Sequence, residues 1–486
     1  MSTLLDATVW EGRTFDGTWR HADRTLTTTE PATGTDVGTV GLATPADVDR
    51  SVDLAAQAQR AWAAAGYDVR ARVLRAAARI FTDNAAEIAD LFAREAGAPQ
   101  RVSGPQALIA AEECYEAAAL ASMPSGEVLR SMQPRLSLSR RVPVGVVGVI
   151  APFNSPILLA LRAVAPALAV GNAVVLKPDP RTAVVGGVLL ARVFEEAGLP
   201  AGLLHVLPGG ADVGEAIVAD PDVPVIAFTG STGAGKAIAA AAAQHLKRTH
   251  LELGGNSATI VLDDADVERA AAAGAWGSFR HAGQICMATG RHLVHEAVAE
   301  QYVARLAEQA AALRLGDPAR TDADVGPVID ATQRDRVHQM VTDTLAAGAR
   351  LVTGGEAEGP FYRPTVLADV PPNAPAYRDE VFGPVAPVVT FADDEEAAAL
   401  AADSSYGLAL GIFTTDVMRG LALAERIPAG LVHINDQTIN DEPVAPFGGV
   451  GHSGNGARHG GHAANLEAFT EQQWVTVRGT TPDYRW

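Results

Sequence analysis

The sequence predicts an α/β protein built on parallel sheet with helices on both faces, and three observations predict it. From Arg141 onward, short β-branched runs alternate with helical stretches, the signature of βαβ units. A glycine-rich turn at 229–235 follows one of those strands and opens a helix, as a parallel sheet with a ligand at its strand ends requires. A late strand-like segment at 473–478 follows a loop rich in Gly, His and Asn at 440–465, and is expected to pair outside its own domain. At 486 residues the chain exceeds one ordinary core, so two or three domains are expected.

In chain order, residues 46–120 read as helices, Ala-rich and with Asp47 and Asp83 as acidic caps. Residues 125–139 look extended. Residues 141–150 form a buried strand. Then come a strand at 173–177, a helix at 182–197 ending at Gly198, a strand at 203–207, a helix at 211–219, a strand at 225–229 and a helix at 235–246. A second set starts at 257. It has a strand at 258–262, helices at 267–280 and 299–313, and strand-like stretches at 362–367, 385–391 and 411–414.

Composition narrows the function. Hydrophobic residues make up 48% and charged residues 20%, as in a water-soluble globular protein. The formal net charge is −19, from 38 basic and 57 acidic residues. That argues against nucleic acid or an anionic membrane as partner, since both need basic patches. Two cysteines, Cys114 and Cys286, cannot build a disulfide framework. Cys114 sits in a helical pattern and reads as structural. The start, Met1 to Asp6, shows no basic region leading into an apolar run, and apolar stretches such as 163–176 are shorter than a membrane span and carry Pro166 and Gly171. A reduced, cytoplasmic enzyme without a metal site is the expectation.

Cys286 lies in Gly283-Gln284-Ile285-Cys286, and upstream Glu252 lies in Leu251-Glu252-Leu253-Gly254-Gly255. A thiolate can hold a carbonyl compound covalently, and a desolvated Glu can take protons near neutral pH. A lone Cys is more often a small buried hydrophobe; its neighbours decide. Phe228-Thr229-Gly230-Ser231-Thr232 suits a phosphate at a helix start, yet it is neither G-x-G-x-x-G nor a P-loop. Lys177-Pro178-Asp179-Pro180 ends another strand of the same sheet, where Lys177 can reach a ribose hydroxyl or a phosphate.

Seven motifs in order resemble the NAD(P)-dependent aldehyde dehydrogenase superfamily over roughly 35–477. They are Pro152-Phe153-Asn154-Ser155-Pro156, Lys177-Pro178, the 228–232 turn, Leu251 to Gly255, Gly283 to Cys286, Glu380-Val381-Phe382-Gly383-Pro384 and Pro446-Phe447-Gly448-Gly449. Within it, 177–182 and 433–461 look like the benzaldehyde and vanillin dehydrogenase group. The resemblance implies a Rossmann-type cofactor domain (1–118 and 141–253), an α/β catalytic domain (254–467) and a bridging, oligomerising β element (119–140 and 468–486), in a homodimer or homotetramer.

It also implies roles. Cys286 attacks the aldehyde carbon, Asn154 and the Cys286 N–H hold the oxyanion, and Glu252 activates water to hydrolyse the thioester. Lys177 binds the adenosine ribose, Gly230 and Ser231 the pyrophosphate, and Glu380 the nicotinamide ribose. Phe382 packs beside that ribose and Leu253 near the nicotinamide. Phe153, Arg162, Ile285, Met287 and Phe447 are the expected substrate-pocket residues, with flat rings suited to an aromatic aldehyde.

Three positions depart from the family. Pro180 stands where NAD-preferring members often carry Glu, with Asp179 before it; NAD is expected, with NADP use possible. Arg458 falls where many members have a Glu thought to help proton release. Arg162 replaces a frequent tunnel aromatic, and pairing with a carboxylate is the favoured reading over selection of ring substituents. An aliphatic aldehyde or semialdehyde dehydrogenase is the alternative, and a Cys286 thioester hydrolase or acyl transferase a more distant one.

Overall fold

A computed structural model describes residues 4–484. The first three residues of the Met1 to Asp6 segment and the end of the 468–486 element lie outside the described residues.

Two seven-stranded sheets dominate. The first runs, edge to edge, Arg248–Glu252, Val225–Thr229, Val146–Ile150, Ala173–Lys177, Leu204–Val206, Arg13–Phe15 and Trp19–His21. Its first five strands are parallel and the last two are antiparallel additions. Val146–Ile150 comes first of the five in the chain and lies in the middle, so the strand order reverses beside it. The carboxyl ends of the strands around such a switch point leave a crevice for a ligand. Val146–Ile150 and Ala173–Lys177 are buried along their whole length, which is why they read as unbroken apolar runs.

The second sheet runs Arg350–Thr353, Thr365–Ala368, Val385–Phe391, Thr289–His295, Ser257–Val261, Ala409–Phe413 and Leu431–Ile434, all parallel except the first. Thr470–Val477 joins neither. It pairs along its full length with Leu136–Pro143, from far earlier in the chain, and Gly126–Val128 completes that small antiparallel sheet. This sheet exposes Val128, Leu136, Trp474 and Val477.

Several expectations shift. The hairpins before residue 46, from Arg13–Phe15 to Asp36–Leu42, carry threonines rather than a long apolar run, and the sequence reading assigns them no element. Arg248–Glu252, Thr289–His295, Arg350–Thr353 and Leu431–Ile434 are missed likewise; the first two mix polar residues into buried strands, and the last two have no fully buried residue. Asp47 is not the cap of Pro45–Ala64 but the third residue of a reciprocal capping box on Thr44. Asp83 closes Tyr67–Asp83, and Asn84 makes the junction to the next helix by donating its amide back to Ile80. The 440–465 loop ends earlier than expected, at a helix over His462–Phe469.

The expected single helix at 182–197 is three pieces: a 3-10 turn Pro180–Thr182, a π-helical stretch Val184–Val188 and the α-helix Leu189–Glu196. Gly186 and Gly187 pack bare backbone against Pro156 and Pro178, where a Cβ would collide. The buried Glu95 carboxylate accepts the Val184 and Val185 N–H groups at 3.0 and 2.6 Å, replacing bonds that a regular helix would supply. Burial raises Glu95 to about 7. Among the described residues, no helix is long and apolar enough to cross a membrane.

Candidate active site

The carboxyl ends of the central strands of the first sheet open into a cleft of about 370 Å³. Its walls bring together Phe153, Asn154, Lys177, Gly230, Ser231, Glu252, Cys286, Glu380 and Phe382, nine of the fourteen residues singled out from sequence.

Cys286 is presented by a strained turn. His281, Ala282 and Gly283 all have left-handed backbone, at φ 51°, 54° and 68°. For residues with a Cβ each such position costs about 1–3 kcal/mol and must be held by its surroundings. Gln284 holds it. Its buried side chain donates to the His281 carbonyl at 3.2 Å and accepts the Ile329 N–H at 2.9 Å. The Asn154 amide donates to the Gln284 carbonyl at 2.9 Å, so Asn154 and the Cys286 turn are fixed to one another. Gly255 is what lets the turn come close, because a Cβ there would run into the Cys286 carbonyl. The thiol is half-buried. Burial pushes its pKa up, and Glu380, Glu252 and Asp441 add to the rise.

Glu252 ends the Arg248–Glu252 strand. Its carboxylate is buried, and neither oxygen has a hydrogen-bond partner among the described residues. Burial raises its pKa well above the ordinary 4.5, against the pull of Arg458 and Arg162. A partnerless carboxylate in a cleft beside a thiol is a group poised to take a proton. Gly448, at φ 151°, passes so close that a Cβ would lie 2.9 Å from Oε1.

The other end of the cleft is polar and cationic. Lys177 is buried and its ammonium makes no hydrogen bond within the described chain; burial lowers its pKa. Asp179 beside it is gripped through both oxygens by Arg181, which also pairs with Asp330. Ser231 caps Thr232–Ala243 by accepting the Ala234 N–H at 3.3 Å, so the free N–H groups of the first turn face the cleft. Glu380 accepts the Gly255 N–H at 2.9 Å, and burial raises it to about 7. Phe382 sits at φ 52°, its carbonyl held by the Gln333 amide at 2.9 Å, and meets Phe153 edge-on with ring centres 6.0 Å apart. These groups fit a dinucleotide: an unpaired ammonium, a free helix start and a carboxylate with one oxygen still open.

The remaining expected residues lie elsewhere. Leu253 packs beneath Gly235, where a Cβ would strike its methyls, and does not line the cleft. Met287 and Phe447 form a small apolar cluster with Leu408 and Ala409, against which Ile285 and Cys286 pack. Phe153 and Phe382 line the cleft with Cys286, and Cys286 also packs on the cluster that holds Phe447. Arg162 is 2% exposed. It pairs with Glu113 at 3.2 Å and with Asp441, donates to the Glu442 carbonyl, and lies 5.1 Å from the Phe447 ring centre. The favoured reading of Arg162 as a paired cation describes this geometry. Sequence reading missed Glu113, Asp441, Arg181 and His459, because only the fold brings them to the site.

A sequence model of the Aldehyde dehydrogenase family matches residues 19–475. The chain belongs to the aldehyde dehydrogenase family. It is 60% identical to a vanillin dehydrogenase of Amycolatopsis over 99% of both chains. It is 48% identical to a benzaldehyde dehydrogenase [NAD(+)] of Pseudomonas putida over 98% of both. Among solved structures, a salicylaldehyde dehydrogenase from Pseudomonas putida, complexed with salicylaldehyde, superposes with a TM-score of 0.94 at 35% identity, covering 98% of this chain and 99% of that one. A betaine aldehyde dehydrogenase from Staphylococcus aureus in complex with NAD+ gives 0.94 at 30% identity, covering 99% and 97%. As a member of this family the protein is an aldehyde-oxidising oxidoreductase that uses NAD or NADP.

Proposed function

We propose that the substrate is an aromatic aldehyde of the benzaldehyde or vanillin type, oxidised to its acid through a thioester on Cys286. The observation that carries this reading is the aromatic side chains near the thiol: Phe153 lines the cleft with Cys286, and Phe447 belongs to the apolar cluster on which Cys286 packs; flat rings favour a flat substrate. The names of the relatives support the same substrate class.

Cys286 gives up its proton to water in the cleft, and the thiolate adds to the aldehyde carbon. The oxyanion formed takes hydrogen bonds from the Asn154 amide and the Cys286 N–H, donors already fixed in place by the Gln284 anchor. When bound, the nicotinamide cofactor supplies the hydride acceptor that turns this adduct into a thioester. Lys177 holds the adenosine ribose, Gly230 and Ser231 the pyrophosphate and Glu380 the nicotinamide ribose, with Phe382 packed beside it. Glu252 then draws a proton from water, which attacks the thioester and frees the acid. In this reading the first sheet is the cofactor domain, the second the catalytic domain, and the small sheet with its exposed apolar face joins subunits of a homodimer or homotetramer.

NAD is the favoured cofactor, with NADP accepted: Asp179 would repel a 2′-phosphate, but Arg181 already occupies both its oxygens. A panel of benzaldehyde, vanillin and hexanal, each with NAD and with NADP, tests these points. Benzaldehyde or vanillin should give much the higher kcat/KM. A preference for hexanal discards the aromatic pocket, and equal kcat/KM with NADP removes the NAD preference.

Arg162→Leu should leave the choice between hydroxylated and plain benzaldehydes unchanged. It should instead lower stability by about 3–5 kcal/mol, since Glu113 and Asp441 lose their buried cation. Thermal unfolding and a two-substrate competition read the two effects. A changed preference at unchanged stability would make Arg162 a selectivity residue.

A further inference from the structure

The proton that Glu252 takes from water must leave it before the next turnover, and the groups around the carboxylate can be named. Arg458 and His459 come from the C-terminal loop, Arg162 from the Pro156–Ala169 helix, and Asp441 from the loop paired with Arg162. The two guanidiniums cannot accept a proton. Asp441 is paired to Arg162. Cys286 regains a thiolate in deacylation and can take the proton; His459 is the neighbour whose part is still unassigned.

His459 Nε2 stands 3.8 Å from Glu252 Oε1 and has no hydrogen-bond partner. The other ring nitrogen, Nδ1, faces the Arg162 carbonyl at 3.4 Å. A proton on Nδ1 satisfies that carbonyl and leaves the Nε2 lone pair toward the carboxyl. The imidazole is 4% exposed and meets the buried His250 ring edge-on, with centres 6.2 Å apart. Two buried polar groups that face each other and have no other partner call for a functional explanation. At 3.8 Å they are just beyond hydrogen-bond reach, so a small rotation of the carboxyl closes the gap.

We propose that His459 is a positioning residue for the general base: its neutral imidazole accepts, through Nε2, a hydrogen bond from the protonated Glu252 carboxyl and so holds that carboxyl aimed at the cleft in each turnover. The proposal rests on the reading of Glu252 as that base. In deacylation, water adds to the thioester carbon and gives one proton to the Glu252 carboxylate. The C–S bond breaks with its electron pair left on the Cys286 sulfur, and the carboxylic acid departs. Protonated Glu252 then donates its O–H to Nε2 as a hydrogen bond, until the Cys286 thiolate or water entering the emptied cleft takes the proton. Burial, His250 and Arg162 hold the His459 pKa down to about 3, so the ring stays neutral and keeps its Nε2 lone pair for the carboxyl. Beyond these, Arg248 and Glu467 face His250, and Glu113 shares Arg162 with Asp441.

The test compares His459→Gln and His459→Ala with the native enzyme, using benzaldehyde and NAD, by stopped-flow and steady-state NADH formation across pH. His459→Asn replaces either variant that does not fold. The first turnover should keep its rate while kcat falls about tenfold or more. Added imidazole should restore kcat in His459→Ala, which a purely structural role would not allow. A fall in kcat of less than about twofold overturns the proposal. So does an equal fall in the first turnover, or a loss of kcat with an unshifted pH profile and no response to imidazole. Failure of the underlying reading shows separately, as Glu252→Gln turning over like the native enzyme.

Discussion

Cys286→Ala should abolish NADH formation from every aldehyde, with a loss of at least about 10⁴-fold in kcat, while the protein stays folded and binds cofactor. The size of the effect follows from the position of the thiol. It is the only thiol among the described residues that line the cleft, which the fixed Asn154 amide and the Glu252 carboxylate line with it. Removing a nucleophile removes the covalent route and leaves only oriented binding, and such losses are on the order of 10⁴ to 10⁶. The fold should survive because the turn is held by Gln284 and Gly255, not by the sulfur. Absorbance of NADH and a cofactor titration read the two parts. Residual turnover above about one per cent of native would place the attack on another atom.

Glu252→Gln should behave differently. The first turnover should still form about one NADH per site, and then the reaction should stall, because the thioester has no base to activate water. Gln keeps the shape of the side chain next to Gly448 but cannot take a proton. In the native enzyme the same step should speed up as pH rises above the ordinary carboxylate range. Burial keeps the proton on Glu252 in that range, and only the ionised form serves as base. Rapid-mixing traces show the burst directly. A variant that loses the first turnover as severely as the later ones would make Glu252 the activator of the thiol instead.

Much of this site was legible in the chain because its parts are local motifs with local reasons. Gly230 and Ser231 mark a helix start after a strand, Lys177 a strand end, and Gly283 a left-handed turn before Cys286. The alternation after Arg141 points to parallel sheet because strands such as Val146–Ile150 are buried and apolar throughout, whereas Thr289–His295, in the middle of the second sheet, carries Thr, Arg and His and is not assigned. Less legible were features that depend on distant partners. Glu95 turns one expected helix into a π-helical stretch from another helix altogether. Glu113 and Asp441 meet at Arg162 from separate segments, and His459 reaches Glu252 only because the C-terminal loop folds over the strand end. The Thr-rich hairpins before residue 46 carry no apolar run to announce them.

The central claim is that oxidation passes through an acyl group on Cys286. The measurement that tests it most directly is the intact mass of Glu252→Gln after one turnover with NAD and benzaldehyde, followed by peptide mapping. The expected result is one benzoyl group per chain, on the peptide that holds Cys286 and absent from the Cys286→Ala, Glu252→Gln double variant. An unmodified chain after a full turnover of NADH, or a benzoyl group on any other residue, would contradict it.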